Sequence, residues 1–140
     1  MTQQASPLTL TADVRGFLDR LLLGVVATVE ADGSPLQAMV WFMREGDGVV
    51  FNSRVGRRWP ANLSRDRRVA FLVGDTDGYV ELIGRVEIDD DPLRSRDVII
   101  ALARRYETDP ANLRALIERF RTERRITFRL RPERVLVHTE

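Results

Sequence analysis

Residues 25–53 read VVATVEADGSPLQAMVWFMREGDGVVFNS. Three segments in this stretch, 25–30, 36–45 and 49–53, are rich in β-branched and aromatic residues, and short connections containing Asp and Gly separate them. Such connections between β-rich segments are typical of hairpins. The stretch therefore predicts an antiparallel meander.

The strand pattern continues towards the C-terminus. Residues 68–75 lead through the turn TDG into the long run 79–89, in which apolar residues alternate with charged ones. Gly84 interrupts this run, and a bulge or bend there would let a sheet curl. Two further β-rich segments, 126–130 and 135–139, follow around the turn RPE. We therefore expect six to seven strands in a curled sheet.

Helices are predicted at 11–23, 60–66, 92–106 and 109–123, from apolar residues at helical spacing and from capping residues or Pro at the first turn. In the short segment, Pro60 is expected to open the helix. The helices do not alternate with strands, and no Gly-rich loop follows a strand, which argues against a Rossmann or P-loop fold. The pattern predicts a mainly β (α+β) fold, an antiparallel barrel with flanking helices.

Length and composition set limits on size and partners. The chain has 140 residues, of which 44% are hydrophobic, and this suits a single domain over 1–140. The net charge of +1, from 22 basic and 21 acidic residues, gives no overall field that would draw the protein onto nucleic acid or a membrane. All the basic residues are arginine, which fits a GC-rich coding genome.

Residue types exclude several kinds of chemistry. The sequence has no cysteine, so disulfides and thiol nucleophiles are absent. His138 is the single histidine and is expected to be a solvated residue at a strand end, so no metal site is predicted. The N-terminus has no basic region followed by an apolar run, and no segment approaches the roughly 20 apolar residues of a membrane span. We expect a cytoplasmic protein.

A local anion site is suggested by a cluster of arginines after the third strand. The cluster comprises Arg54, Arg57, Arg58, Arg65, Arg67 and Arg68. The last three are expected to lie at a solvated helix end and strand start. The sequence shows no paired carboxylates on a cleft and no nucleophile motif, so no catalytic residue is predicted. A bound cofactor is therefore expected to carry the chemistry.

Several short motifs follow one another along the chain: D-G-x-P (32–35), V-W-F (40–42), F-x-S-x-x-x-R-R (51–58), N-L-x-R-D-x-R-V (62–69), E-x-x-G-R-V (81–86) and R-x-R-P-E-R-V (129–135). Their order and spacing resemble the pyridoxamine 5'-phosphate oxidase-like superfamily, which binds FMN or a deazaflavin. Within it, the chain is similar to the short deazaflavin (F420)-dependent or flavin-dependent reductases common in actinobacteria. The resemblance covers about 22–137 and implies a split β-barrel.

The resemblance implies that Arg57 and Arg58 bind the cofactor phosphate. Guanidinium groups match phosphate oxygens with paired hydrogen bonds, and the N-terminus of the helix at 60–66 would lie near the same anion. The other cofactor-binding residues that it implies are Met39, Val40, Trp41, Asn52, Ser53, Trp59 and Asn62. Asn52 and Ser53 would hydrogen-bond the cofactor, whereas the side chains at 39–41 either line its ring or belong to the core.

Two departures from the family pattern bear on function. Ala38 and Met43 stand where pyridoxamine phosphate oxidases carry an arginine and a lysine that hold FMN, so vitamin B6 oxidation is not expected. Trp59 stands where related deazaflavin reductases often have lysine. Either Arg57 and Arg58 hold the phosphate without that lysine, or Trp59 stacks against the ring or the substrate.

The implied activity is hydride transfer from reduced F420 to an electron-poor small molecule such as an enone, quinone or tetrapyrrole. The alternatives are an FMN-binding oxidoreductase of the same fold and a non-catalytic flavin- or tetrapyrrole-binding protein. The resemblance also implies a homodimer with the cofactor at the subunit interface. Tyr79, Tyr106 and His138 are proton-donor candidates by chemistry, but nothing in the sequence places them at the ring.

Overall fold

A computed structural model describes residues 8–139. Eight strands and four helices are present in these residues, in the following order: α1 (Ala12–Leu18), β1 (Gly24–Val29), β2 (Pro35–Val40), β3 (Phe42–Glu45), β4 (Gly48–Arg54), α2 (Arg58–Arg65), β5 (Arg68–Asp75), β6 (Gly78–Asp89), α3 (Pro92–Tyr106), α4 (Pro110–Thr122), β7 (Arg125–Leu130) and β8 (Arg134–Thr139).

The strands form an antiparallel sheet in the order β2-β1-β5-β6-β7-β4-β3, with β8 also paired to β6. Along one side of β6, residues 78–83 pair with β8 and residues 86–89 pair with β7. The change of partner occurs at Gly84, where a Cβ atom would lie 3.2 Å from Leu130 Cδ1. Glycine therefore lets the strands approach closely where the sheet divides. The predicted split β-barrel with flanking helices is confirmed.

The number of strands is eight because the predicted strand 36–45 is broken at Trp41, between β2 and β3. The hydroxyl of Tyr106, at the end of α3, accepts a hydrogen bond from Phe42 N at 3.2 Å. The same hydroxyl lies 2.6 Å from Leu22 O and 3.0 Å from Phe42 O. A side chain therefore satisfies the backbone polar groups of the break, as buried groups require.

Helix boundaries agree with the sequence pattern at some ends and not at others. Thr11 caps α1 as predicted, but the helix ends at Leu18 rather than at residue 23. α2 begins at Arg58, so Pro60 lies inside its first turn instead of opening it. α3 spans the predicted residues 92–106, and Asp109 caps α4 by accepting a hydrogen bond from Asn112 N at 2.9 Å.

Two hydrophobic clusters are separated by the β2–β3 segment. The larger cluster fills the barrel and includes Val40 and Phe42, while the smaller one lies between α3 and α4. Trp41 and Met43 pack against the smaller cluster. Successive side chains of a strand point to opposite faces, so this one segment contributes to both clusters. Within residues 8–139, no helix is long and apolar enough to span a membrane.

Candidate functional site

A groove of about 200 Å³ lies where the barrel meets the α3–α4 pair. Six residues that the sequence placed at the cofactor site line it: Met39, Val40, Trp41, Asn52, Arg57 and Trp59. Four further lining residues were not anticipated: Ile99, Arg119, Phe120 and Arg125. The groove thus brings together strands β2, β4 and β7 with helices α2, α3 and α4.

The polar floor of the groove is a buried hydrogen-bond network around Asn52, on β4. The Asn52 amide donates to Ser95 O and to Thr127 Oγ1, both at 3.0 Å. Its oxygen accepts from Arg125 Nε at 2.8 Å, and Thr127 Oγ1 donates to Ser95 Oγ at 2.9 Å. Such a satisfied network fixes the orientation of its members. Asn52 therefore holds Arg125 in place and ties β4 to β7 and α3.

Arg125 is a cation that the protein holds in a largely buried position, with 6% of the residue exposed. Its Nη1 donates to Glu123 Oε1 at 3.0 Å, and its guanidinium carbon lies 5.0 Å from the centre of the Phe120 ring. Burial lowers the pKa of Arg125; Glu123 acts in the opposite direction, and the charges of Arg57 and Arg119 lower the pKa further. Arg57 and Arg119 therefore both repel the Arg125 guanidinium group in the same groove.

Little negative charge balances this cluster. Glu123 is shared between Arg125 and Arg54, whose Nη1 lies 3.7 Å from Glu123 Oε2. Among residues 8–139, Arg57 and Arg119 have no carboxylate within ion-pairing distance. Arg57 is also the N-cap of α2 and makes no side-chain capping hydrogen bond. An exposed guanidinium group at a helix N-terminus, such as that of Arg57, is well suited to bind an anion.

The structure does not bring Arg58 to this groove. Its Nε lies 2.8 Å from Glu30 Oε1, and 75% of its side chain is exposed. Arg57 precedes α2 in extended conformation whereas Arg58 is its first helical residue. The side chains of the two adjacent arginines therefore lie in different surroundings, and a phosphate role for Arg58 stays a prediction.

Ser53 and Asn62 also lie outside the groove lining. Ser53 is fully buried, and its Oγ lies 3.3 Å from Arg54 O. The Asn62 amide donates to Thr28 Oγ1 at 3.1 Å, which joins α2 to β1. These contacts give both side chains a place in the packing of the barrel, and their cofactor roles stay predictions.

The two tryptophans occupy different environments. Trp59 is 6% exposed and packs in the barrel core, with its ring centre 5.8 Å from that of Phe51 and 5.4 Å from that of Phe128. Trp41 stacks on Tyr106 with a centroid distance of 5.4 Å and an interplanar angle of 6°. Tyr106 thus fixes the Trp41 ring at the groove.

The proton-donor candidates do not converge on the groove. The Tyr106 hydroxyl contacts backbone atoms of Leu22 and Phe42. Tyr79 stacks on His138 at 5.3 Å, where β6 pairs with β8, and neither residue lines the groove. The titratable side chains that line the groove are its arginines.

The sequence pattern missed Arg119 and Arg125 because their role depends on distant contacts. They lie in the run ERFRTERR, residues 118–125, which has the appearance of a solvated helix end. The contact between Arg125 and Asn52 joins residues 73 positions apart. The available signal was the position of Arg125 next to the apolar segment 126–130, where it becomes the first residue of β7.

A sequence profile of the family described as Pyridoxamine 5'-phosphate oxidase matches residues 10–138. No curated protein matches the chain. One similar solved structure is a conserved hypothetical protein, Rv2991, from Mycobacterium tuberculosis, with 22% identity and a TM-score of 0.78 over 99% of this chain and 90% of that chain. An F420 reductase is 28% identical, with a TM-score of 0.70 over 87% of this chain and 94% of that chain.

A third similar structure is an FAD and heme binding protein from Mycobacterium smegmatis, with 19% identity and a TM-score of 0.69 over 95% of this chain and 72% of that chain. These three structures share the fold of this chain. The family profile covers nearly all of the described residues, and the split barrel is present. The chain therefore belongs to the pyridoxamine 5'-phosphate oxidase family.

Proposed function

We propose that the protein binds F420 in this groove and transfers a hydride to an electron-poor small molecule. The observation that carries the proposal is that Arg57 and Arg125 lie in one groove beside the stacked ring of Trp41. Cations and an apolar wall within one groove suit a ligand that joins an anionic tail to a planar ring.

The residues present fit the anionic part of the cofactor. Arg57 and the first turn of α2 would hold the phosphate, with Arg125 fixed behind them by Asn52. A charge-assisted hydrogen bond is worth roughly 1.5 to 3 kcal/mol. Arg58, which pairs with Glu30, is not required for this site.

Reduced F420, when bound, supplies a hydride to acceptors such as enones, quinones or tetrapyrroles. The protein would bind the cofactor and the acceptor, orient them towards each other and exclude water from the groove. Met39, Val40 and Trp41 would contact the ring, and Tyr106 keeps Trp41 in position. The lining arginines stay charged, so their role is binding rather than proton transfer.

FMN is the alternative cofactor, and one observation favours it. Three guanidinium groups with a single nearby carboxylate, Glu123, leave an excess of positive charge in the groove. A terminal phosphate monoester carries about −1.5 to −2 at pH 7. The guanidinium groups of the groove would hold this phosphate monoester, so FMN suits the same site.

The experiment that tests the proposal is a set of titrations with F420, FMN and riboflavin, following the emission of Trp41 and Trp59. We expect saturable quenching by F420, and at least tenfold weaker binding of riboflavin than of FMN, because riboflavin lacks the phosphate. Binding of FMN without F420 would move the protein to the flavin alternative. Binding of none of the three would contradict the cofactor site itself.

We also propose that a second copy of the chain closes the groove. Met39, which is 67% exposed, lines the groove and lies opposite Val25, which in turn lies opposite Leu72 on β5. These apolar residues share the outer face of the sheet. The groove volume of about 200 Å³ is below the roughly 300 to 1,000 Å³ of most ligand pockets. A partner packed on this face would cover Met39 and deepen the site.

Sedimentation equilibrium tests the dimer. We expect the wild-type protein at micromolar concentration to have twice the chain mass of 16.0 kDa. Leu72→Glu should give the monomer mass, because it places a charge in the apolar face. Leu93→Glu, at a 66% exposed position on α3, is the matched control and should remain dimeric. A monomeric wild type would contradict the proposal.

A further inference from the structure

The α3–α4 side of the groove carries a positive charge that the cofactor phosphate does not need. Arg119 lies in the last turn of α4, whereas Arg57 and the N-terminus of α2 already form a phosphate site. Another arginine of the same turn, Arg121, pairs with Glu118 at 3.4 Å. Within residues 8–139, Arg119 has no such carboxylate partner, although it lies near the buried charge of Arg125.

The Arg119 guanidinium group packs near the Phe120 ring and has no carboxylate partner within residues 8–139. Its guanidinium carbon lies 5.5 Å from the centre of the Phe120 ring, and that of Arg125 lies 5.0 Å from the same centre. Stacking on an aromatic ring uses the face of a guanidinium group, and the N–H donors point outward from its edge. Arg119 can therefore meet a carboxylate while it remains packed on Phe120.

The wall around Arg119 is apolar. Ile99 of α3 and Phe120 of α4 line this side of the groove, and both are almost completely buried. The cofactor ring is proposed to contact the other side, at Met39, Val40 and Trp41. A molecule that enters between the two sides would meet the small exposed parts of Ile99 and Phe120 and bring an anionic group to Arg119.

We propose that Arg119 forms an acceptor subsite that selects carboxylates over neutral analogues of the same shape. This inference rests on the proposed function, which it deepens by naming the class of acceptor. Arg119 determines specificity by binding the acceptor carboxylate, and Phe120 packs against the Arg119 guanidinium group at the groove. The subsite is separate from the phosphate site at Arg57.

Calorimetric titration with trans-cinnamate and cinnamamide tests the subsite, since the two probes have almost the same shape and differ in charge. Both are titrated into the free protein and into protein saturated with whichever cofactor binds. We expect wild-type protein to bind cinnamate at least tenfold more tightly than cinnamamide in both forms. Arg119→Ala should abolish this preference and change the cofactor affinity less than threefold.

Arg121→Ala is the matched control, because it removes an arginine from the same helical turn outside the groove, and it should retain the full preference. Equal binding of the two probes to wild-type protein, or no binding of cinnamate at millimolar concentration, would overturn the subsite. It would also be overturned if Arg119→Ala weakened cofactor binding as much as Arg57→Ala, since Arg119 would then belong to the phosphate site.

The same titrations distinguish the two proposals. If no cofactor binds to wild-type protein, the proposed function is wrong. An Arg119-dependent preference for cinnamate in the free protein would still support the anion subsite. If the cofactor binds and the preference is absent, the proposed function stands and the acceptor subsite is wrong.

Discussion

Replacing Arg57 by alanine is expected to weaken cofactor binding by about 10- to 150-fold, which corresponds to the roughly 1.5 to 3 kcal/mol of a charge-assisted hydrogen bond. Arg57 lines the groove, repels the charge of Arg125 and has no carboxylate partner within residues 8–139. Its side chain is exposed, so its removal should leave the fold intact. Titration of tryptophan emission measures the affinity.

Arg58→Ala is the matched control for this prediction. Arg58 is the adjacent residue, but it pairs with Glu30 and does not line the groove. We expect the cofactor affinity of Arg58→Ala to stay within twofold of wild type. The double variant, with both arginines replaced by alanine, should have the same affinity as Arg57→Ala. A larger loss with Arg58→Ala than with Arg57→Ala would show that the phosphate lies on the other side of the α2 N-terminus.

Replacing Asn52 by leucine should destabilise the protein by about 2 to 6 kcal/mol, because a buried polar group left without a partner costs about 1 to 3 kcal/mol. The substitution removes the acceptor for Arg125 Nε and the donor to Ser95 O. Leucine has as many side-chain heavy atoms as asparagine but bulkier methyl groups, so no cavity forms, and overpacking adds to the loss of the hydrogen bonds. Urea unfolding measures the free energy of unfolding and its slope.

Thr127→Val is the control for Asn52→Leu. It removes one hydroxyl from the same network and keeps the shape of the side chain, so we expect a smaller loss of about 1 to 2 kcal/mol. The slope of the urea transition should stay constant in both variants. A loss below 1 kcal/mol for Asn52→Leu would mean that the network does not hold Arg125 in place.

Local features of the sequence were sufficient for most of the fold. The Asp- and Gly-containing turns between residues 25 and 53 lie where the hairpins occur, and Asp109 caps α4 by a contact three residues away. Such signals involve neighbouring residues only. They are strong because Gly, Asp and Pro restrict the backbone within one turn.

The features that the sequence did not reveal depend on contacts between distant residues. The break at Trp41 is held by Tyr106, through a hydrogen bond that spans 64 positions. The burial of Arg125 requires Asn52, at a separation of 73. The resemblance implied that the adjacent residues Arg57 and Arg58 both bind the cofactor phosphate. Because α2 starts between them, their two side chains lie in different surroundings.

The division of the β2–β3 segment between two hydrophobic clusters has an evolutionary consequence. Val40 and Phe42 belong to the barrel, whereas Trp41 and Met43 pack against the α3–α4 pair. A change of side-chain volume at 41 or 43 can therefore be accommodated by the helical pair, without repacking the barrel. Trp41 also lines the groove, so descendants of this chain can change the shape of the groove at that position while the barrel keeps its packing, and groove shape and thermal tolerance can diversify independently.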